Sequence, residues 1–262
     1  MNNNLIARAL DVNAANLALG HETFDSDGAR FVRNRDVPDI YDANHVAAIT
    51  ASTPDEIDRL LARVEREFDG YRHRMFHTDY RTPPPFEARL LLDGYERSDA
   101  LVLLLEGDLR GEPKPHDIRP IDDDAGWQAH STLQSLDWAE SRQKQGRDPE
   151  PAVGESIARA NRLKSPPVRY WLVYDDGAPR GFFSSWGGIA GVGQVESLFL
   201  QGEYRHRGLA TALLHHCVAD ARKHGAGPVV IVADPTDTPK QMYAAMGWRP
   251  VALQREYKRT VV

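Results

Sequence analysis

The sequence predicts an α/β fold with a mixed sheet (an α+β arrangement of parallel and antiparallel strands), built as two units along the chain. Three observations predict it. Between Gln194 and Ala233 a strand-like run, a periodic helix and an all-apolar run follow one another, the order of a βαβ unit with a right-handed crossover. Two apolar runs flank Asp175-Asp176-Gly177, a hairpin signal that adds antiparallel pairing. Far upstream, Thr53-Pro54-Asp55-Glu56 marks a second helix start among its own strand-like segments.

Composition narrows the function classes. The 262 residues are 41% hydrophobic and 27% charged, as in a globular protein of one large or two small domains. With 32 basic against 38 acidic residues the net charge is -6, so no global field favours nucleic acid as a partner. The single cysteine, Cys217, excludes an internal disulfide, and no Cys/His cluster has zinc-ligand spacing, so no metal is expected. Asp11 interrupts any leader-like apolar stretch, and the longest apolar run, Ala100 to Leu105, falls far short of the ~18 residues of a membrane span. A cytoplasmic protein without a membrane partner is the expectation.

In the N-terminal third, Thr53 caps a helix with Pro54 at its first position and Glu56 completing a capping box. Ile57, Leu60, Leu61, Val64 and Phe68 form its buried stripe, and His45 to Ile49, His73 to His77 and Ala100 to Leu105 read as strands around it. Glu106 to Asp117 concentrates Gly, Pro and charge as linkers do, which predicts domains at residues 1–110 and 116–262.

The second domain opens with the strand Ile118 to Ile121 and a helical segment, Trp127 to Ala139; the polar span Glu140 to Pro167 is expected to be a mobile connection with one short helix. Tyr170 to Tyr174 and Arg180 to Trp186 form the hairpin, and Gly187 to Gly193 is expected to be a glycine-rich bend. Gln194 to Leu200 is the next strand. Leu209, Leu213, Cys217, Val218 and Ala221 recur at helical spacing, Gly225 stops the helix, and Pro228 to Ala233 is a strand buried on both faces.

The segment Glu203-Tyr204-Arg205-His206-Arg207-Gly208-Leu209-Ala210 lies where a strand hands over to a helix. Free backbone N–H groups of a first helical turn, with the positive end of the helix dipole, hold an anion, and Gly208 lets a phosphate approach the backbone. Arg205 and Arg207 are placed to add charge from the rim. Neither a Walker loop nor G-x-G-x-x-G occurs, which argues against nucleoside triphosphates and dinucleotides. An ordinary basic turn with a helical glycine also fits the octapeptide.

This segment resembles the R-x-x-G-x-[GA] pyrophosphate loop of the GNAT acyl-CoA-dependent N-acyltransferases, with Arg205, Gly208 and Ala210 at the defining positions. The resemblance spans Ile118 to Tyr257 and includes Tyr243-Ala244-Ala245-Met246-Gly247-Trp248, similar to the family's Y-x-x-x-G-F helix terminus with Trp for Phe. It implies a GNAT-like fold in the C-terminal half, acetyl-CoA as acyl donor and no metal. It also implies a cleft where the strands ending at Leu200 and Ala233 splay. Backbone groups of Leu198, Phe199 and Leu200 would pair with the pantetheine arm and polarise the thioester carbonyl. Arg205, His206, Arg207, Gly208, Leu209 and Ala210 would hold the pyrophosphate, and Tyr243 would act as general acid towards the departing sulfur. Two departures stand out: Ala210 is at the third loop position, and Ala233-Asp234-Pro235 replaces a strand-end asparagine.

The chemistry needs a proton acceptor, because freeing the lone pair of an alkyl amine of pKa ~10.4 costs roughly 3 to 5 kcal/mol at neutral pH. Glu196 is the first choice, on a strand whose alternation sets Gln194, Glu196, Leu198 and Leu200 on one face; an ordinary solvated glutamate is the alternative. Glu256 and Asp234 are further candidates. Cys217, on the apolar face of its helix, reads as a buried core thiol, so direct attack of the amine within a ternary complex is expected. His73 and His77 read as strand residues without a metal, His215-His216 as surface or partly buried residues, and Trp186 as a candidate lining of the acceptor pocket.

Phe86 to Tyr95 echoes Tyr243 to Trp248, with Gly94 where Gly247 stands and Leu90 where Tyr243 stands, yet residues 1–110 contain no R-x-x-G-x-[GA]. This implies a smaller, degenerate GNAT-like unit without a cofactor loop; an unrelated α/β module is the alternative. Three functional readings follow: N-acetyltransfer to a small-molecule amine, the same chemistry on a protein or peptide amine, and an acyl-CoA-binding sensor. Oligomeric state stays open, a homodimer included.

Overall fold

The computed structural model describes residues 3–261. Its elements are α1 (Asn3–Ala18), β1 (Glu22–Ser26), β2 (Ala29–Arg33), β3 (His45–Ala47), α2 (Pro54–Glu67), β4 (His73–Thr78), α3 (Pro84–Leu92) and β5 (Glu96–Leu105), then β6 (Asp117–Pro120), α4 (Asp124–Lys144), α5 (Pro151–Leu163), β7 (Arg169–Asp175), β8 (Ala178–Ile189), β9 (Val192–Leu200), α6 (Leu209–Lys223), β10 (Val229–Ala233), α7 (Pro239–Ala245) and β11 (Arg249–Thr260). Two compact units result. The first takes the chain up to Val102, Val232–Lys240 and everything from Pro250 onward; the second takes Leu103–Ile231 and Gln241–Arg249.

In the first unit the strand order is β1-β2-β3-β4-β11-β5. Asp27 and Gly28, at φ 50° and 77°, form the β1–β2 turn, the pair of left-handed residues that matches the twist of a hairpin. β3 and β4 run parallel, and β11 pairs antiparallel with β4 from Arg255 to Thr260. The expected helix starts at Pro54 with its capping box complete, and Ile57, Leu60, Val64 and Phe68 enter the core with Phe31, Phe76, Phe86 and Tyr257. Burying such side chains contributes about 1.5 to 3 kcal/mol each.

In the second unit the order is β10-β9-β8-β7-β6, with β9 and β10 parallel and the other pairs antiparallel. Tyr170 and Phe182 point to one face, where His130 of α4 packs against both rings. Trp171 and Ser185 point to the other, where they meet His216 and Asp220 of α6. α5 lies so close to α4 that a Cβ on Gly154 would come within 2.7 Å of the Ser135 Cα.

Two expectations are corrected. α4 continues past Ala139 to Lys144, and a 13-residue helix, α5, fills most of the span to Pro167, so that span is largely helical. Gly187 and Gly188 belong to β8, and the turn is at Ala190 and Gly191, with φ 48° and 73°. The two strand glycines serve close approach: a Cβ on Gly187 would overlap the His224 carbonyl, and one on Gly188 the Val192 carbonyl. Among the described residues no helix is long and apolar enough to cross a membrane.

Candidate active site

β9 and β10 pair at two positions, Val229 with Gly193 and Val230 with Gln194, although β9 runs on to Leu200. The strands therefore part after Gln194. A bulge accompanies the parting: Glu196 faces Ser184 and Phe199 faces Phe182, so Ser197 and Leu198 oppose the single residue Phe183. Ser197 takes φ 65° there. One extra residue reverses the alternation that the sequence implies. Gln194, Glu196 and Phe199 share a face, whereas Leu200, opposite Gly181, lies on the other. The Phe199 ring accordingly meets Phe182 at 5.7 Å.

Glu196 is half-buried, and its carboxylate accepts a 2.8 Å hydrogen bond from Gln194 Nε2. Burial first, and then the Glu196 charge, hold the Tyr170 phenol well above its ordinary range, which marks the carboxylate as part of the Tyr170 face.

Past Leu200 the chain makes one tight turn at Gly202–Tyr204 and reaches α6 through two left-handed residues, His206 at φ 62° and Gly208 at φ 92°. No side chain caps α6, and the first N–H bond along it is that of Ala212 to the Gly208 carbonyl, at 3.0 Å. The N–H groups of Leu209, Ala210 and Thr211 thus have no acceptor within the helix, and the helix dipole adds positive potential where they point. Buried Leu209 fixes the helix in the core. A Cβ on Gly208 would stand 3.5 Å from His116 Nε2, a buried ring nitrogen without a hydrogen-bond partner. An uncapped helix, a left-handed glycine with room where a side chain would stand and an orphaned ring nitrogen beside it fit a phosphate group.

The arginines divide. Arg207 is exposed at the rim, 3.4 Å from Asp175 and stacked over Tyr204. Arg205 is committed within the protein: its Nε donates to the Leu200 carbonyl at 3.0 Å and its Nη1 and Nη2 to the two Glu140 oxygens at 2.8 and 2.6 Å. Its place in the motif is accordingly that of a tie between the strand end, the loop and α4. That tie holds the Glu140 carboxyl below the usual carboxylate range.

Tyr243 is buried on α7 and meets Trp248 at 6.4 Å. Gly247, at φ 108°, ends the helix and lets Trp248 N–H return to the Tyr243 carbonyl at 3.0 Å. Glu196, Leu198 to Ala210 and Tyr243 all belong to the second unit. The other proposed bases belong to the first: Glu256 accepts from Ser98 Oγ and faces His77, and Asp234 accepts from Thr236 N and Oγ1 to close a turn. His73 bonds the Asn44 carbonyl and His77 the Gln254 amide. Cys217 is fully buried, and burial pushes its thiol well up, the environment of an inert core cysteine. Trp186 is buried opposite Gln194 on β8.

Sequence reasoning missed Glu140, Gln194 as the partner of Glu196, and His116. Glu140 and Lys144, four apart and 3.1 Å from each other, were a legible sign that α4 continues. His116, in a linker, had no local signal.

Residues 131–248 match the family model described as the acetyltransferase (GNAT) family. A GCN5-related N-acetyltransferase from Kribbella flavida has a similar structure at 17% identity and TM-score 0.70, covering 97% of this chain and 96% of that one. So does a functionally unknown conserved protein from Staphylococcus epidermidis, at 12% identity and TM-score 0.67, covering 92% and 95%. A tandem GNAT protein from the clavulanic acid biosynthesis pathway matches at 15% identity and TM-score 0.57, over 82% of this chain and 75% of that one. No curated protein matches the chain. At these identities the structural likeness is one of fold, and it extends through the N-terminal unit as well as the domain that the family model covers. Residues 131–248 are thus an acetyltransferase (GNAT) domain, which makes that part of the chain an acyltransferase, and the likeness of fold to GNAT proteins extends over both units.

Proposed function

We propose that the protein transfers an acetyl group from acetyl-CoA to a primary amine of a small molecule, by direct attack of the amine in a complex that holds both substrates. The observation that carries the proposal is the uncapped start of α6 lying one short loop beyond the point where β9 and β10 part. Acetyl-CoA supplies the activated thioester carbonyl. The N–H groups of Leu209 and Ala210, with the turn from Arg205 through Gly208, hold its pyrophosphate. The backbone of Leu198, Phe199 and Leu200, released from β10, pairs with the pantetheine arm and polarises the carbonyl. Such fixed dipoles need no reorganisation as negative charge develops on the oxygen.

Glu196 accepts the proton that the amine must lose, directly or through a water, and Gln194 holds the carboxylate in place. The Tyr243 hydroxyl gives a proton to the sulfur as the C–S bond breaks. Cys217, buried and protonated, takes no covalent part.

The test is acetyl-CoA binding by calorimetry, followed by thiol release with a panel of small amines and of peptide amines. Binding with saturable release on small amines supports the proposal. Release on peptides alone moves the acceptor to the protein class, and binding without release on any acceptor leaves a sensor. Absence of binding overturns the reading of the loop.

A further inference from the structure

Arg205 stands in the motif position from which positive charge would be expected to reach a phosphate, yet its guanidinium is committed elsewhere. We propose that Glu140, in the last turns of α4, is a positioning residue for the acetyl-CoA loop, acting through Arg205; this rests on the function proposed above. The two η nitrogens of Arg205 bond the two Glu140 oxygens at 2.8 and 2.6 Å, the parallel two-point geometry in which an arginine–carboxylate pair is strongest and most directional. The same guanidinium closes the loop onto its own strand, Nε to the Leu200 carbonyl at 3.0 Å. One side chain therefore ties together the end of β9, the loop and α4.

The loop needs such a tie. Gly202, Glu203, His206 and Arg207 are exposed, and the backbone passes through two left-handed positions before α6 begins. Without an anchor those residues sample many conformations, and binding must then order them before the N–H groups of Leu209 and Ala210 meet a phosphate. Glu140 removes that cost in advance. It is itself steadied by Lys144 Nζ at 3.1 Å, so the anchor on α4 is a small network rather than a lone pair.

The experiment is a double-mutant cycle on acetyl-CoA affinity with E140A, R205A and the double variant, read by calorimetry, with thermal unfolding of each protein without ligand. If Glu140 acts only through Arg205, E140A raises Kd about tenfold, and the double variant is no weaker than R205A, since the two residues form one unit. kcat at saturating acetyl-CoA stays within about twofold, because a positioning role for binding appears in KM. E140D, which keeps the carboxylate on a shorter arm, recovers part of the affinity. A role confined to folding gives the opposite pattern, with a lowered Tm and a smaller active fraction but an unchanged Kd, and that overturns the proposal. So do independent, multiplying effects of the two substitutions, which place Arg205 on the ligand itself. Wild-type protein that binds no acetyl-CoA overturns this proposal and the functional one together; wild-type binding with an unaltered E140A overturns this one alone.

Discussion

α2 and α6 hold the same place in their two units. Each follows a strand that pairs parallel with the next, β3 with β4 through Val46 and Phe76, and β9 with β10 through two pairs. Each of those first strands meets a left-handed residue, Ala48 at φ 51° and Ser197 at φ 65°. Their N-termini differ. At α2, Thr53 Oγ1 accepts from Glu56 N, the Glu56 carboxylate accepts from the N–H groups of Ser52 and Thr53 at 3.0 Å each, and Pro54 has no N–H to offer. Those backbone bonds pull the Glu56 carboxyl down to about 2, so the helix start already holds its own anion. At α6, Gly208 leaves the corresponding groups open. A fold of this kind supplies the position of an anion site, and the capping residues decide whether the position is filled from within or left for a ligand.

The largest effect that tests this contrast comes from closing the open end. Gly208→Asp puts a side chain where φ is 92° and a carboxylate where phosphate is proposed to bind. Losing two charge-assisted hydrogen bonds of about 2 kcal/mol each corresponds to roughly a 1,000-fold weaker Kd for acetyl-CoA. Calorimetry on wild type and variant checks it, with far-UV circular dichroism to show that the variant is folded. Wild type should bind one acetyl-CoA per chain; a stoichiometry of two would break the comparison, because α2 would then be a site despite its own cap.

How much of this was legible in the sequence follows the same division. Local signals carried the caps and the glycine loop: Thr53-Pro54-Asp55-Glu56 and Arg205 to Ala210 are short segments whose geometry their own residues determine. Signals failed where partners were distant. α1, β1 and β2 left little trace because α1 has only a weak apolar stripe and β1 is mostly exposed. β11 joins the first unit from the far end of the chain, which no local pattern announces. The bulge at Ser197 and Leu198, which reorients Glu196 relative to Leu200, depends on cross-strand register with β8. Arg205 was legible as a motif residue, but its commitment to Glu140 depends on α4 extending past Ala139.

Acid should act on both units, by about 3 kcal/mol for each of two histidines. Burial holds His73 in the first unit and His130 in the second at about 4. Above pH 6.5 folded and unfolded forms are both neutral. As pH falls from 6.5 towards 4 the unfolded chain binds a proton that the folded one refuses, so stability present above 6.5 is lost across that window. In the second unit Asp137 opposes this: burial raises its carboxyl to about 6, so its penalty at neutral pH is relieved as pH falls through 6. All five tryptophans lie between Trp127 and Trp248, within the second unit, so tryptophan fluorescence isolates that unit's response. His130→Phe, which keeps the ring between Tyr170 and Phe182, should shift the fluorescence acid midpoint downward. An unmoved midpoint would show that the burial of His130 does not govern acid sensitivity.

Tyr243 and its counterpart Leu90 extend the contrast from binding to chemistry. Both are buried near a helix end that a left-handed glycine terminates, Gly247 at φ 108° and Gly94 at φ 79°. Only Tyr243 carries a proton to give. Tyr243→Phe should lower kcat about 100-fold, roughly 2.7 kcal/mol, with acetyl-CoA affinity unchanged. Stopped-assay rates beside calorimetry separate the two; a raised Kd with normal kcat would move Tyr243 from proton transfer to cofactor packing.

The smallest expected effect comes from opening the closed end. Thr53→Ala removes the side chain that accepts from Glu56 N and should cost about 1 kcal/mol of stability, measured by urea unfolding. It should not create a second acetyl-CoA site. Pro54 still lacks its N–H, Glu56 still bonds the Ser52 and Thr53 amides, and no glycine precedes the helix to admit a phosphate. A variant that lost stability yet still bound one ligand per chain would show that Pro54 and the Glu56 bonds keep this helix start closed without the Thr53 hydroxyl. Binding of a second acetyl-CoA would instead mean that one hydroxyl had been holding the site shut.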